Sequence, residues 1–191
     1  MKKVIGILIV GILMISSFSL TSQTIDNLHK KDSRMQWFKD AKLGIFIHWG
    51  IYSVVGIDES WSFFNGYIPY EDYMNQLEGF NADNYNPNQW ANLIEESGAK
   101  YAVLTTKHHD GVALWDSEFG DLNVVKKTPA KRDLVAPFCK ALRDKDIKVG
   151  LYYSLLDWSH DDYPNFTRSE KRYIEDSIRW ESFTKFNFGQ I

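Results

Sequence analysis

The sequence predicts an α/β protein that forms part of a (β/α)8 barrel of the TIM type, with about three βα units present. Three observations predict it. Three short apolar runs, at 43–48, 101–106 and 147–153, each end in polar or ionisable side chains, which is how parallel α/β enzymes gather catalytic groups at the carboxyl ends of strands. Amphipathic helical stretches lie between the runs, and helical crossovers make consecutive strands parallel. The runs are continuously apolar rather than alternating, as in a sheet covered on both faces.

The first 22 residues form a separate object. Lys2 and Lys3 are a basic start, Val4 to Ile15 an apolar core, and Ser16, Ser17 and Ser19 follow as small polar residues. This is the pattern of a secretory signal peptide. Its apolar core is shorter than the roughly 20 residues that span a bilayer, so cleavage and export are expected, with no membrane attachment afterwards. The paired lysines fit a bacterial protein sent to the periplasm or secreted. Residues 23–36 are a polar lead-in, and 37–191 are read as the N-terminal part of a catalytic barrel domain.

Each element has a local reason. Leu43 to His48 is the first strand, followed by an insertion at 51–86 rich in aromatics and Asn, with a short helix at 70–77. Asn86 and Pro87 announce a helix over 88–97, with Trp90, Leu93 and Ile94 on one face and Gly98 as its stop. Tyr101 to Thr106 is the second strand, and 112–130 a loop. Residues 133–145 form the second helix, carrying Leu134, Val135, Phe138 and Leu142 on one face. Its Cys139, the only cysteine, reads as a small buried hydrophobe and leaves no internal disulfide to form. Ile147 to Tyr153 is the third strand, 154–168 a loop, and 169–188 the third helix. The three units take about 49 residues each, so eight would take about 390, within the range of barrels with long loops. The chain therefore reads as an incomplete barrel.

Composition excludes some functions. The 191 residues are 44% hydrophobic, which argues against disorder. The net charge of −3, which becomes −5 without Lys2 and Lys3, offers no basic footprint for a nucleic acid. Aromatics reach 15%; core packing accounts for many of them, and sugar clefts use such rings too.

The chemistry lies at the strand ends. On the first strand, period two sets Gly44, Phe46 and His48 on one side and Ile45, Ile47 and Trp49 on the other. The branched aliphatic set suits the helix side, so His48 points into the barrel mouth. By the same argument Tyr152 faces in and Tyr153 out. His108 and His109 would point oppositely on a regular strand, and both reach the site only if the chain bulges there. Asp110 precedes Gly111 and suits a turn at least as well as catalysis. Glu59, in the aromatic insertion, is a candidate acid/base or binding carboxylate. A metal reading of His108, His109 and Asp110, to which His48 could add a fourth ligand, is disfavoured, because adjacent histidines on a strand rarely share an ion and no HxH or HExxH spacing is present. Neither metal nor cofactor is expected. Hydrogen bonding to a polyhydroxylated substrate suits the imidazoles better.

Together the stretches WFKDAKLGIFIHWGIYSV (37–54), AKYAVLTTKHHDGVALWDS (99–117), TPAKRDLV (128–135) and KVGLYYSLLDWS (148–159) resemble the α-L-fucosidases of glycoside hydrolase family 29. HWG and TTKHHDG in this order are the specific part of the match. The resemblance implies a (β/α)8-like domain that removes terminal α-linked L-fucose from glycans with retention of configuration. It implies that His48, His108 and His109 bind fucose hydroxyls, that Tyr152 is the strand-end tyrosine, and that Glu59 is the early-loop glutamate. In the family an aromatic directly follows that glutamate; here Ser60 intervenes, and Trp61 is the matching cleft aromatic. The family's nucleophile is an aspartate at the end of a fourth strand, which these residues do not include, so the chain is expected to be inactive alone. Two other readings stay open: a non-catalytic fucose-binding module, or another retaining (β/α)8 glycosidase.

Overall fold

The computed structural model describes residues 33–191. The expected signal peptide and most of the lead-in lie outside the described residues. The chain divides into two compact units, Met1–Lys42 and Leu43–Ile191. In the first, residues 33–41 are helical, with a Gln36 to Asp40 hydrogen bond of 3.0 Å one turn apart.

The second unit is built on three parallel strands in the order β1 (Gly44–Ile47), β2 (Tyr101–Lys107), β3 (Lys148–Tyr153). Gly44 pairs with Tyr101, and Tyr101 with Lys148. Between β1 and β2 lie two short helices, α1 (Trp61–Phe64) and α2 (Tyr70–Met74), and the crossover helix α3 (Pro87–Glu96). Between β2 and β3 lie a one-turn helix, α4 (Val124–Lys127), inside the expected 112–130 loop, and the crossover helix α5 (Val135–Arg143). α6 (Ser177–Gly189) follows β3.

The crossover helices form for reasons visible locally. Asn86 caps α3 by accepting from the Gln89 amide at 3.0 Å, with Pro87 in the first turn, where its missing N–H costs nothing. Asp133 accepts from the amides of Val135 and Ala136 at the start of α5. Both helices press on one face of the sheet. Ala91 and Ile94 of α3 and Phe138, Ala141 and Leu142 of α5 pack with Ala102, Leu104, Ile45 and Ile47. This is the aliphatic side expected from the period-two reading. Cys139 is buried in α5.

The other face carries Gly44, Phe46, Tyr101, Val103, Gly150 and Tyr152. The Tyr101 ring lies over Gly44 so closely that a β-carbon there would come within 2.0 Å of it. Only glycine lets β1 approach β2 beneath that ring.

β2 is irregular near its end. Thr105 pairs with Tyr152, yet Lys107 pairs with Tyr153, leaving Thr106 as an extra residue. An inserted residue reverses the alternation beyond it. Lys107 therefore turns to the helix side, where it is fully buried. Its ammonium lies 2.9 Å from Asp157 and donates to Tyr153, Asn187 and Gln190 at 3.2–3.3 Å. One cation thus ties β2, β3, the loop after β3 and α6 together.

The third helix begins eight residues later than the expected 169. Asp176 caps it through the Ile178 and Arg179 amides. The preceding segment is held out of helix by Arg172, whose guanidinium donates to the carbonyls of Trp158, Tyr163 and Asn165. A helical period in the sequence cannot outweigh three hydrogen bonds from a half-buried guanidinium to loop carbonyls.

Replacing Lys107 by Met should leave the Asp157 carboxylate buried without its cation. A stability loss of about 3–5 kcal/mol is expected, read as a lower urea midpoint, with partial recovery in the double variant Lys107→Met/Asp157→Leu.

Candidate active site

Backbone geometry at the three strand ends brings the histidines together. Thr105 Oγ1 donates to the Ile47 carbonyl at 2.8 Å and accepts from the Trp49 amide at 3.1 Å. The hydroxyl clasps the chain on both sides of His48 and fixes where that ring leaves β1. The neighbouring Thr106 donates to the Tyr152 carbonyl at 2.8 Å and does the same for β3. After Lys107 the chain turns, with the Gly111 amide donating to the His108 carbonyl. Gly111 has φ +78°, and a β-carbon there would lie 2.5 Å from Asp157 Oδ1, so both its backbone and its surroundings require glycine.

The bulge and turn put both adjacent histidines on one side. Their ring centroids are 4.4 Å apart, and His48 lies 4.9 Å from His108 edge-on. Tyr152 stacks near His108 at 6.0 Å. Trp61 stands edge-on to His109 at 5.7 Å and remains partly exposed. Trp158 is buried. It stacks on Phe64 at 3.8 Å and supports the His109 ring at 4.5 Å.

Each of the paired histidines rests on a buried serine. His108 Nδ1 is 2.5 Å from Ser60 Oγ, and His109 Nδ1 is 2.5 Å from Ser154 Oγ. The Ser154 hydroxyl proton goes to the Leu156 carbonyl, so Ser154 accepts from His109 Nδ1–H. That tautomer leaves His109 Nε2 as a hydrogen-bond acceptor. Ser60, which breaks the family spacing between Glu59 and Trp61, is thus the anchor of His108. Glu59 itself is half-buried, and one ligand atom from each of His48, Glu59 and His108 lies within 4.8 Å of the others. Among the described residues this is the one such group of metal-binding type. It keeps His48 and His108 of the set weighed from the sequence and has Glu59 in place of His109 and Asp110.

The two aspartates beside the histidines serve the backbone. Asp110 accepts from Tyr73 Oη at 2.6 Å and from the Val112 amide at 3.0 Å. Asp157 pairs with Lys107 and accepts from the Ser159 and His160 amides. Both are buried, so of the three acids at this site only Glu59 stands with the histidines.

Burial, followed by the charges of His109 and His48, pushes His108 down to about 3. Burial also lowers His109 and His160. Asp110 is pushed up to about 6 by burial, against the hydrogen bonds from Tyr73 and Val112. Neutral imidazoles in a half-apolar wall both donate and accept, as sugar hydroxyls do. A cavity of about 520 Å³ is lined by Trp49, Val54, Phe80, Tyr85 and Trp90 among others. None of the three histidines lines it.

The alpha-L-fucosidase family profile matches residues 16–191. The chain belongs to the alpha-L-fucosidase family. It is 40% identical to human plasma alpha-L-fucosidase over 141 residues, covering 65% of this chain and 30% of that protein. It is 39% identical to the Branchiostoma floridae alpha-L-fucosidase over 142 residues, 65% of this chain and 31% of that protein. The chain therefore spans about a third of the length of these relatives. Among solved structures, alpha-L-fucosidase isoenzyme 1 from Paenibacillus thiaminolyticus superposes with a TM-score of 0.72 at 38% identity, over 83% of this chain and 39% of that one. A GH29 fucosidase from Bacteroides thetaiotaomicron, trapped as a covalent intermediate with 2-fluoro-fucosyl fluoride, gives 0.71 at 34% identity, over 83% and 37%.

Sequence reasoning missed Ser60, Ser154, Thr105 and Thr106. Only Lys107, the one charge in a strand that is otherwise uncharged, carried a signal, and what it answers, Asp157, lies 50 positions away.

The shifted groups fix a pH dependence. His108, His109 and His160 bind protons more readily in the unfolded chain. Their neutral burial favours the fold fully above about pH 6.5 and less as pH falls through that value. Asp110 acts in the opposite sense, because its folded value lies above its unfolded one; its contribution grows as pH falls below about 6. Three histidines against one aspartate give a net loss of stability from pH 7 to pH 4.5. Asp110→Asn, whose Oδ1 can still accept from the Val112 amide while its Nδ2–H donates to Tyr73 Oη, should make that loss steeper, as read by urea midpoints across the range.

Proposed function

We propose that this chain supplies the sugar-recognition wall of an exported α-L-fucosidase that hydrolyses terminal α-linked L-fucose on glycans with retention of configuration. The observation that carries the proposal is the convergence of His48, His108 and His109, with Glu59 and Tyr152, at the carboxyl ends of three parallel strands. In a complete (β/α)8 barrel the face bearing Phe46 and Tyr152 would be the interior, and this wall would line its mouth. His48, His108 and His109 bind the sugar hydroxyls, and Trp61 packs on the apolar face of the ring.

Retention needs two carboxyl groups about 5–5.5 Å apart, one as nucleophile and one as acid/base. The covalent intermediate trapped in the Bacteroides enzyme supports that route for the family. Here Asp110 and Asp157 are buried and committed to backbone amides, Tyr73 and Lys107. Glu59 can act as acid/base or bind a hydroxyl, and the nucleophile comes from another part of the enzyme. Residues 33–191 alone then bind the sugar without turning it over. Export through residues 1–22 agrees with a relative named for plasma.

The protein expressed from its whole reading frame should hydrolyse an aryl α-L-fucoside in preference to other aryl glycosides. His48→Ala and His108→Ala should each lower kcat/KM by about 1–3 kcal/mol, through loss of one hydroxyl partner. Unchanged kcat/KM in both would remove the histidine wall from the mechanism. A preference for another glycoside would favour a different retaining glycosidase. Fucose binding without any turnover would favour a binding module.

A further inference from the structure

We propose that His48, Glu59 and His108 also form a binding site for one divalent transition-metal ion of the zinc type, and that such an ion and a sugar exclude each other there.

The donor set is the first argument. Two imidazoles and one carboxylate suit zinc, with the fourth position left to water. Nitrogen-rich sets select against calcium and magnesium, which take oxygen ligands.

The second argument is geometric. The three ligand atoms lie within 4.8 Å of one another. Tetrahedral ligation at about 2.1 Å sets ligand atoms roughly 3.4 Å apart, so the site must close by about an ångström or a little more. The two ligands that would move are the two free to do so, since His48 is exposed and Glu59 half-buried. His108 is the fixed point. It is buried, and Ser60 Oγ holds its Nδ1 at 2.5 Å; with Nδ1–H donating to that hydroxyl, Nε2 carries the lone pair a metal needs. A hydrogen bond behind a metal-binding imidazole fixes its ring and tautomer. His109 takes no part, because its ring is held between Trp61, Trp158 and Ser154.

No local motif announces this set. Its members stand at 48, 59 and 108, just past β1, in the insertion and just past β2, and only the bulge and turn after Thr105 bring the last of them round.

The ion site stands on this geometry alone. The exclusion of sugar rests on the fucose reading above. The test is calorimetric titration of the whole protein with Zn2+ in metal-free buffer, with Co2+ titrated in parallel and followed by visible absorption. One ion per chain and the intense visible bands of low-coordinate Co2+ are expected. His48→Ala and Glu59→Gln should each weaken binding at least about tenfold. Absence of saturable binding, or wild-type binding in both variants, overturns the ion site. Saturating L-fucose should weaken Zn2+ binding in proportion to its concentration. If Zn2+ binds with the expected variant pattern and fucose leaves it unchanged, the ion site stands and the sugar reading of these residues falls. If fucose binds and Zn2+ does not, the reverse holds.

Discussion

The buried ion pair between Lys107 and Asp157 is the constraint on which the rest of the second unit depends. A charge with no access to water is tolerable only beside an opposite charge and with its remaining protons used. Lys107 meets that demand with Asp157, Tyr153, Asn187 and Gln190. To reach them it must point to the helix side, and it can do so only because Thr106 is an extra residue in β2. The bulge is therefore the local form that a buried lysine gives to this strand end.

The same shift arranges the histidines. Past the bulge the chain turns, and His108 and His109 arrive with their rings 4.4 Å apart. Asp157, held by Lys107, anchors the loop after β3 through the Ser159 and His160 amides. That loop returns Trp158 to His109, with the Trp158 amide donating to the His109 carbonyl at 2.8 Å. Threonine hydroxyls complete the frame by satisfying backbone groups where the ladders end, which buried sheets must do by some means. The paired histidines are buried and held from behind by Ser60 and Ser154, while His48, Glu59 and Trp61 are the more exposed members on the cleft side. That division suits a wall that must hold a ligand in register and also admit it.

The neutrality of the paired histidines follows from the same burial. A charged His108 would sit buried beside two other imidazoles, while the buried carboxylates Asp110 and Asp157 already serve Tyr73, Lys107 and the backbone. Its proton affinity is correspondingly low. A neutral ring keeps one donor and one acceptor, which matches a hydroxyl and matches a metal ion at the acceptor. The two ligands considered for this wall thus draw on one property.

The sequence by itself determined the three strands, their parallel order, the two crossover helices and the placing of His48 and Tyr152 on the sheet face away from those helices. These follow from periodicity, caps and helix stops, all of them local. The family was legible in HWG and TTKHHDG because such runs carry chemistry in a fixed order. The tertiary structure alone decided the rest. The third helix starts at Ser177 because Arg172 is drawn into a loop by carbonyls up to 14 positions away. Ser60, which looked like an interruption beside Glu59, became the support of His108 only once β2 and the insertion were in contact. The facing of His109 hung on a one-residue bulge whose cause, Asp157, lies 50 positions along the chain. Pattern reads what neighbours in sequence impose on one another. A buried charge and its partner meet only in the folded chain, and here their meeting sets the site.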